Sequence, residues 1–139
     1  MLPAFRQYQQ QIIANAKRLS AELEKCGFRI VSGGTDNHLM LVDLRPKKTT
    51  GKAVGIALEK AGITVNKNMI PFDPEKPFVT SGIRVGTPAI TARGLKEEDM
   101  ALVAQWIDRG VANIDNDAEL AKIAKEVKFF MDRHPMPEF

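Results

Sequence analysis

The spacing of hydrophobic residues predicts helices near both ends of the chain. Between residues 5 and 23, hydrophobic side chains recur at steps of three, four or seven, with a polar far side, and these residues are Phe5, Ile12, Ala16, Leu19 and Leu23. Gly27 should end this helix. Two later helices should bury the sets Met100, Val103, Ala104, Ile107, Val111 and Leu120, Ile123, Val127, Phe130.

Short β-rich runs fill the middle of the chain. We expect strands at residues 28–31, 38–44, 63–65 and 79–85, and the glycine-containing segment 32–37 should form a turn. Pro46 should end the second strand, and Thr49 or Thr50 should cap a helix that Gly62 closes. Residues 66–77 contain three prolines and should form a shaped, irregular loop. Pro88 suits the first turn of a short helix, and residues 135–139 should form a loose tail.

This order of elements predicts the fold class. Helix, two strands, helix, two strands and then helices indicate an α/β chain of the two-layer α+β kind, with a small, mostly antiparallel sheet and helices packed on one face. The 139 residues, of which 44% are hydrophobic, suffice for a single domain.

Composition excludes several classes of function. The 20 basic and 17 acidic residues are interleaved, which is unlike a nucleic-acid-binding surface. The lone Cys26 permits no internal disulfide and is expected to be an inert thiol, and His38 and His134 belong to no metal-binding pattern. No apolar run approaches the roughly 20 residues that cross a bilayer, so we expect a cytoplasmic protein.

Arg84 is the first candidate for a ligand-binding residue. Strand residues alternate between the two faces of a sheet, so Arg84 should point away from Ile83 and Val85, which suit the core. Its planar fork could bind a carboxylate or a phosphate, and Gly82 and Gly86 on either side would let a ligand approach. An ordinary surface or ion-paired arginine explains the pattern equally well.

The segment from Asn66 to Asn68 is the second candidate. Its two amides and Lys67 could recognise a polar heterocycle, although both asparagines could simply form turns. His38 fits a structural role better than that of a base, and the Gly33-Gly34 pair lacks the surroundings of a phosphate-binding loop.

Four segments together carry a resemblance to a known family. They read QYQQQIIANAKRLSAEL (7–23), SGGTDNHLMLVDL (32–44), ITVNKNMIPFDP (63–74) and PFVTSGIRVGTPAITARG (77–94). The chain resembles, from its first helix to about Phe130, the C-terminal part of serine hydroxymethyltransferase in its bacterial form. The resemblance implies the small domain of a fold-type I pyridoxal-phosphate enzyme, with residues 1–26 as a connecting helix.

The resemblance also implies roles for individual residues. In this family the arginine of the SGIR segment binds the carboxylate of the amino-acid substrate, which corresponds to Arg84. The second asparagine of the NKN segment contacts tetrahydrofolate, which corresponds to Asn68, and Lys67 beside it is a second candidate for this contact. The parent enzyme would exchange a one-carbon unit between serine and tetrahydrofolate, giving glycine, and would act as a homodimer or a larger assembly.

The family's cofactor site has no counterpart in these 139 residues. The lysine that binds pyridoxal phosphate lies in a threonine-rich segment of the larger domain, and no lysine here has such a setting. We therefore expect the chain to be inactive alone, with no catalytic residue of its own, and its opening at Met1 resembles an artificial cut. The alternatives are a free-standing module that binds an amino acid or folate, and a structural partner for a separately encoded large domain.

Overall fold

The computed structural model describes residues 3–31, 39–86 and 94–133. Five features predicted from the sequence lie outside these ranges: the Gly33-Gly34 turn, His38, the helix at Pro88, His134 and the tail 135–139.

Four α-helices lie in the described part of the chain, at the positions that the hydrophobic spacing predicts. They are α1 (Pro3–Lys25), α2 (Gly51–Lys60), α3 (Met100–Ala112) and α4 (Asp117–Asp132). Helix α1 is followed by Gly27 with φ of +94°, a left-handed conformation that glycine adopts without strain. Thr50 caps α2 by accepting a hydrogen bond from the Ala53 amide at 3.3 Å, as predicted.

The sheet has four described strands: β1 (Arg29–Ile30), β2 (Leu39–Asp43), β3 (Asn66–Asn68) and β4 (Gly82–Gly86). Their order is β1-β2-β4-β3, and every neighbouring pair is antiparallel. A short 3₁₀ turn at Arg45–Lys47 connects β2 to α2, and another at Glu97–Asp99 leads into α3. The predicted two-layer α+β class is confirmed.

The predicted strand at residues 63–65 is wrong, because the edge strand β3 begins three residues later at Asn66. The amide of Ile63 still donates to the carbonyl of Leu58, at 2.8 Å, so this segment finishes the C-terminal turn of α2. The strand therefore uses Asn66, Lys67 and Asn68, which we had assigned to an irregular loop. Pairing with β4 outweighs the low strand propensity of asparagine and lysine.

The predicted start of β4 is also wrong, because residues 79–81 precede the strand. Thr80 has φ of +58°, which is incompatible with an extended conformation, and its hydroxyl donates to the carbonyl of Gly82 at 3.0 Å. The Gly51 amide donates to the carbonyl of Thr80 and the Lys52 amide to the carbonyl of Val79, both at 3.0 Å. The first turn of α2 is thus bonded to the segment that enters β4.

One face of the sheet carries the core. Register places Ile30, Val42 and Ile83 in one row and Met40 and Val85 in the next, and all five side chains are buried. They pack with apolar residues from the helices, including Leu19, Leu23, Leu58, Ile107 and Leu120, which are fully buried. Helices therefore cover one face of the sheet, as predicted.

Candidate functional site

The opposite side of the sheet, here called the open face, carries polar residues in two rows. One row is Leu41, Arg84 and Asn66, and the other is Arg29, Asp43, Gly82 and Asn68. Residues directly opposite each other on antiparallel strands point to the same side, with Cβ atoms about 5 Å apart. The register thus brings Arg84, Asn66 and Asn68 together on one surface.

Arg84 is exposed on this surface, as the alternation of β4 predicted. Within the described residues, its guanidinium takes part in none of the hydrogen bonds or ion pairs. Ile83 and Val85 on either side are buried in the core, so packing on the opposite face of the sheet holds the backbone that carries Arg84. The arrangement presents, on a strand backed by the core, a planar fork that has no partner among the described residues and is suited to a carboxylate.

The neighbouring arginines on this face are already engaged. Asp43 is only 1% exposed and accepts hydrogen bonds from Arg29 Nη1 at 2.6 Å and from Arg45 Nη2 at 2.8 Å. Burial alone would raise the pKa of Asp43, but the bonds from Arg45 and Arg29 outweigh it and lower the pKa below its usual value. Asp43 thereby holds the side chains of Arg29 and Arg45 in place, whereas Arg84 has no carboxylate partner among the described residues.

Asn68 lies half-buried at the edge of the open face. Its side-chain Nδ2 donates to the carbonyl of Met69 at 2.9 Å. Its side-chain oxygen accepts none of the hydrogen bonds among the described residues. This amide has a fixed orientation and a free acceptor, so it could bind a ligand donor beside Arg84.

Lys67 points to the other side of the sheet, because it stands opposite the core residue Ile83. Its Nζ donates to the carbonyl of Phe78 at 2.6 Å and lies 4.2 Å from the centroid of the Phe78 ring. Lys52 Nζ approaches the same ring at 4.3 Å. The structure thus brings Arg84 and Asn68 together and places the Lys67 ammonium away from them, against Phe78.

Asp73 is a residue that our sequence analysis missed. It lies in the loop between β3 and β4, and its carboxylate accepts four hydrogen bonds. The donors are the amides of Ile70 (3.2 Å), Glu75 (2.8 Å) and Ser81 (2.8 Å) and the Ser81 hydroxyl (2.7 Å). The signal was present in the sequence, since an aspartate before a proline often bonds the backbone two residues on.

These bonds set the charge state of Asp73. Burial raises its pKa, but the bonds from Ser81, Glu75 and Ile70 outweigh it and lower the pKa from 3.8 to about 2. The carboxylate is therefore ionised at any physiological pH. The ionised Asp73 therefore links the loop that follows Asn68 to the start of β4 through hydrogen bonds.

This depressed pKa predicts a contribution to acid stability. A carboxyl with a lower pKa in the folded state stabilises the protein above its unfolded value of 3.8, and that stabilisation is lost as pH falls towards about 2. Urea unfolding at pH 5, 4, 3 and 2 should show that Asp73→Asn is less stable than the wild type at pH 5. The difference should shrink as pH falls to 2, and a difference that stayed constant would contradict the assignment.

Other chemistry finds little support in the described residues. Burial raises the pKa of the Cys26 thiol, with Asp108 adding to the effect, so the reactive thiolate is disfavoured. Within the ranges described, no three His, Cys, Asp or Glu side chains cluster as metal ligands would. Likewise, none of the described helices is long and apolar enough to span a membrane.

Comparison with known proteins places this chain in a family. The sequence profile described as "Serine hydroxymethyltransferase" matches residues 1–107, a range that includes β3, β4 and Arg84. The chain belongs to the serine hydroxymethyltransferase family. A serine hydroxymethyltransferase of Myxococcus xanthus (strain DK1622) is 59% identical over 134 residues. That alignment covers 96% of this chain but only 32% of the relative, so the chain spans about a third of the relative's length.

Proposed function

We propose that this chain is the C-terminal part of a glycine hydroxymethyltransferase, which interconverts serine and tetrahydrofolate with glycine and 5,10-methylenetetrahydrofolate. The observation that carries the proposal is the open face, where Arg84, free of described partners, stands beside Asn66 and Asn68. Membership of the family supports the reaction class. The enzyme would act in the cytoplasm as a homodimer or larger assembly.

In this proposal Arg84 binds the carboxylate of serine or glycine. A two-pronged contact with a rigid strand residue fixes the substrate about its α-carbon, so that the bond to be broken can be aligned. The core residues behind β4 support this role because they limit movement of the backbone that carries the guanidinium. Arg29 and Arg45 are less suited, since both are held by Asp43.

Pyridoxal phosphate would be supplied from outside these 139 residues. The strand positions of the open face are occupied by arginine, asparagine, aspartate, glycine and leucine, and none is a lysine that could hold the cofactor. Lys47 and Lys67 are engaged with Asp108 and Phe78 respectively. The cofactor supplies the electron sink for the reaction, and the chain contributes substrate binding beside it.

Asn68 is proposed as the folate contact. Its free side-chain oxygen lies on the same face as Arg84, two positions along β3 from Asn66. Lys67 is the weaker candidate for this contact, because its ammonium would first have to leave the carbonyl and ring of Phe78. The observed contacts of Lys67 are better suited to anchoring the loop after β3.

Asn68→Ala should separate the two substrates. In the full-length enzyme we expect the KM for tetrahydrofolate to rise about tenfold, corresponding to one lost hydrogen bond of ~1.4 kcal/mol, with the KM for serine nearly unchanged. Steady-state kinetics with each substrate varied in turn would measure both. Equal losses for the two substrates would argue against a folate contact at Asn68.

The first test of the proposal is the nucleotide sequence of the gene. Sequencing upstream of the codon for Met1 should reveal an open frame that encodes a lysine-bearing cofactor domain. A genuine stop codon and start site there would instead favour a free-standing binding module. Calorimetry on the 139-residue chain distinguishes the same alternatives, since a module should bind glycine or folate alone and half of a site should bind neither tightly.

A further inference from the structure

The loop of residues 69–81, which joins β3 to β4, contains a constraint that the proposed substrate contacts do not use. Asp73 Oδ2 accepts from the amides of Ile70 and Ser81, while Oδ1 accepts from the Glu75 amide and the Ser81 hydroxyl. Four donors converge on one side chain, and they come from both ends and from the middle of the loop. A carboxylate suits this place because it has two oxygens that only accept.

The two ends of this loop adjoin the two proposed contacts. Ile70 follows Asn68 by two residues, and Ser81 precedes Arg84 by three. Ile70 is itself buried, and its Cγ2 would lie only 2.9 Å from a Cβ at Gly82, so the loop packs directly over the strand. Asn68 Nδ2 donates to the carbonyl of Met69, the residue before Ile70, so a movement of the loop at Asp73 would change the orientation of the Asn68 side chain relative to Arg84.

The end of the loop at β4 has further bonds, because the amides of Leu44, Gly51 and Lys52 donate to the carbonyls of Ser81, Thr80 and Val79, so the dependence on Asp73 concerns the end beside Asn68. Phe72 is fully exposed and has φ of +56°, and Met69 and Phe78 are also exposed, so the loop has few buried apolar contacts of its own. On the far side Lys67 bonds the carbonyl of Phe78. This contact secures the part of the loop after Asp73, whereas the part next to Asn68 is held by the packing of Ile70 and by the carboxylate of Asp73.

We propose that Asp73 is a positioning residue for the folate cosubstrate, holding the Asn68 side chain in its orientation beside Arg84 by bonding both ends of the loop that joins β3 to β4. The inference rests on the proposed function and deepens it. Asp73 contacts no reacting group in this proposal. It removes the need to order the loop when the cosubstrate binds, which lowers the entropic cost of binding.

The test is a graded set of variants in the full-length enzyme. Asp73→Ala removes all four bonds and should raise the KM for tetrahydrofolate at most as far as the about tenfold expected for Asn68→Ala, whereas Asp73→Asn and Ser81→Ala, which keep part of the network, should raise it about three- to fivefold. The KM for serine should change less than twofold in all three. Ser81→Ala leaves the backbone bonds in place, so it tests the inference even if Asp73→Ala does not fold.

Two controls separate positioning from a general loss of stability. Glu75→Gln removes a negative charge from the same loop, but the Glu75 side chain makes none of the hydrogen bonds among the described residues, so both KM values should stay unchanged. Leu120→Ala creates a cavity in the core under α4 and should lower the melting temperature without raising the KM for tetrahydrofolate selectively.

Each outcome decides the inference. A selective, graded rise in the KM for tetrahydrofolate supports it. Equal rises for both substrates, the same selectivity in Leu120→Ala, or values for the Asp73 variants that match Glu75→Gln would overturn it. If Arg84→Ala and Asn68→Ala also leave the kinetics unchanged, the proposed function itself fails. If those two variants behave as expected, only the role of Asp73 is lost.

Discussion

Arg84→Ala should reduce kcat/KM for serine by about 100-fold or more in the full-length enzyme while leaving the fold intact. Removing one partner of a charged, hydrogen-bonded contact costs about 2–5 kcal/mol, and every 1.4 kcal/mol corresponds to a factor of ten. Arg84 is exposed and has no described partner, so its loss should change the free energy of unfolding by no more than about 0.5 kcal/mol. Steady-state kinetics and urea unfolding of the same preparation measure both quantities.

Two further variants make this expectation specific. Arg84→Lys keeps the positive charge but loses the planar fork, so it should recover only part of the activity. Arg29→Ala removes the same charge from the same face, but Arg29 is paired with Asp43, which also keeps Arg45. Its kinetics for serine should be near those of the wild type. Unchanged kinetics in Arg84→Ala, or equal losses in Arg29→Ala, would contradict a carboxylate site at Arg84.

The helices could be predicted from the sequence because their signals are local. Most of the buried residues of α3 and α4 follow from the helical period, although Phe130 is only half-buried and the buried Trp106 was not predicted. Thr50 and Gly27 mark boundaries through caps that depend on neighbouring residues alone. The orientation of Arg84 was predicted correctly for the same reason. Alternation along one strand decides it, given that Ile83 and Val85 enter the core.

The details of the sheet edge could not be predicted because they depend on distant pairing. Asn66, Lys67 and Asn68 have low strand propensity, and only their register with β4 makes them a strand. The same register decides that Asn68 faces Arg84 and that Lys67 does not. The positive φ of Thr80 is set by contacts with α2 and Gly82, which no local pattern reveals. The candidate residues were therefore identifiable from sequence, but their arrangement was not.

Gly51→Ala should destabilise the domain by about 2–4 kcal/mol, although alanine is the better helix former by about 1 kcal/mol. A Cβ at this first residue of α2 would lie 2.1 Å from Thr80 Oγ1 and 2.3 Å from the carbonyl oxygen of Gly82. Neither atom can retreat easily, because Gly82 lies in the strand β4 between β2 and β3, and Thr80 is bonded to it. The helix would have to move away from the sheet instead.

The matched control for this prediction is Gly55→Ala, in the next turn of the same helix. A Cβ there meets nothing within 4 Å, so helix propensity alone should act and should stabilise the domain by about 0.5–1 kcal/mol. Urea unfolding of both variants should thus give changes of opposite sign. Thr80→Gly combined with Gly51→Ala should recover part of the loss, because it removes the nearer clash and the left-handed strain but leaves the contact with Gly82. If both alanine variants were stabilising, the close approach of α2 to the start of β4 would be wrong.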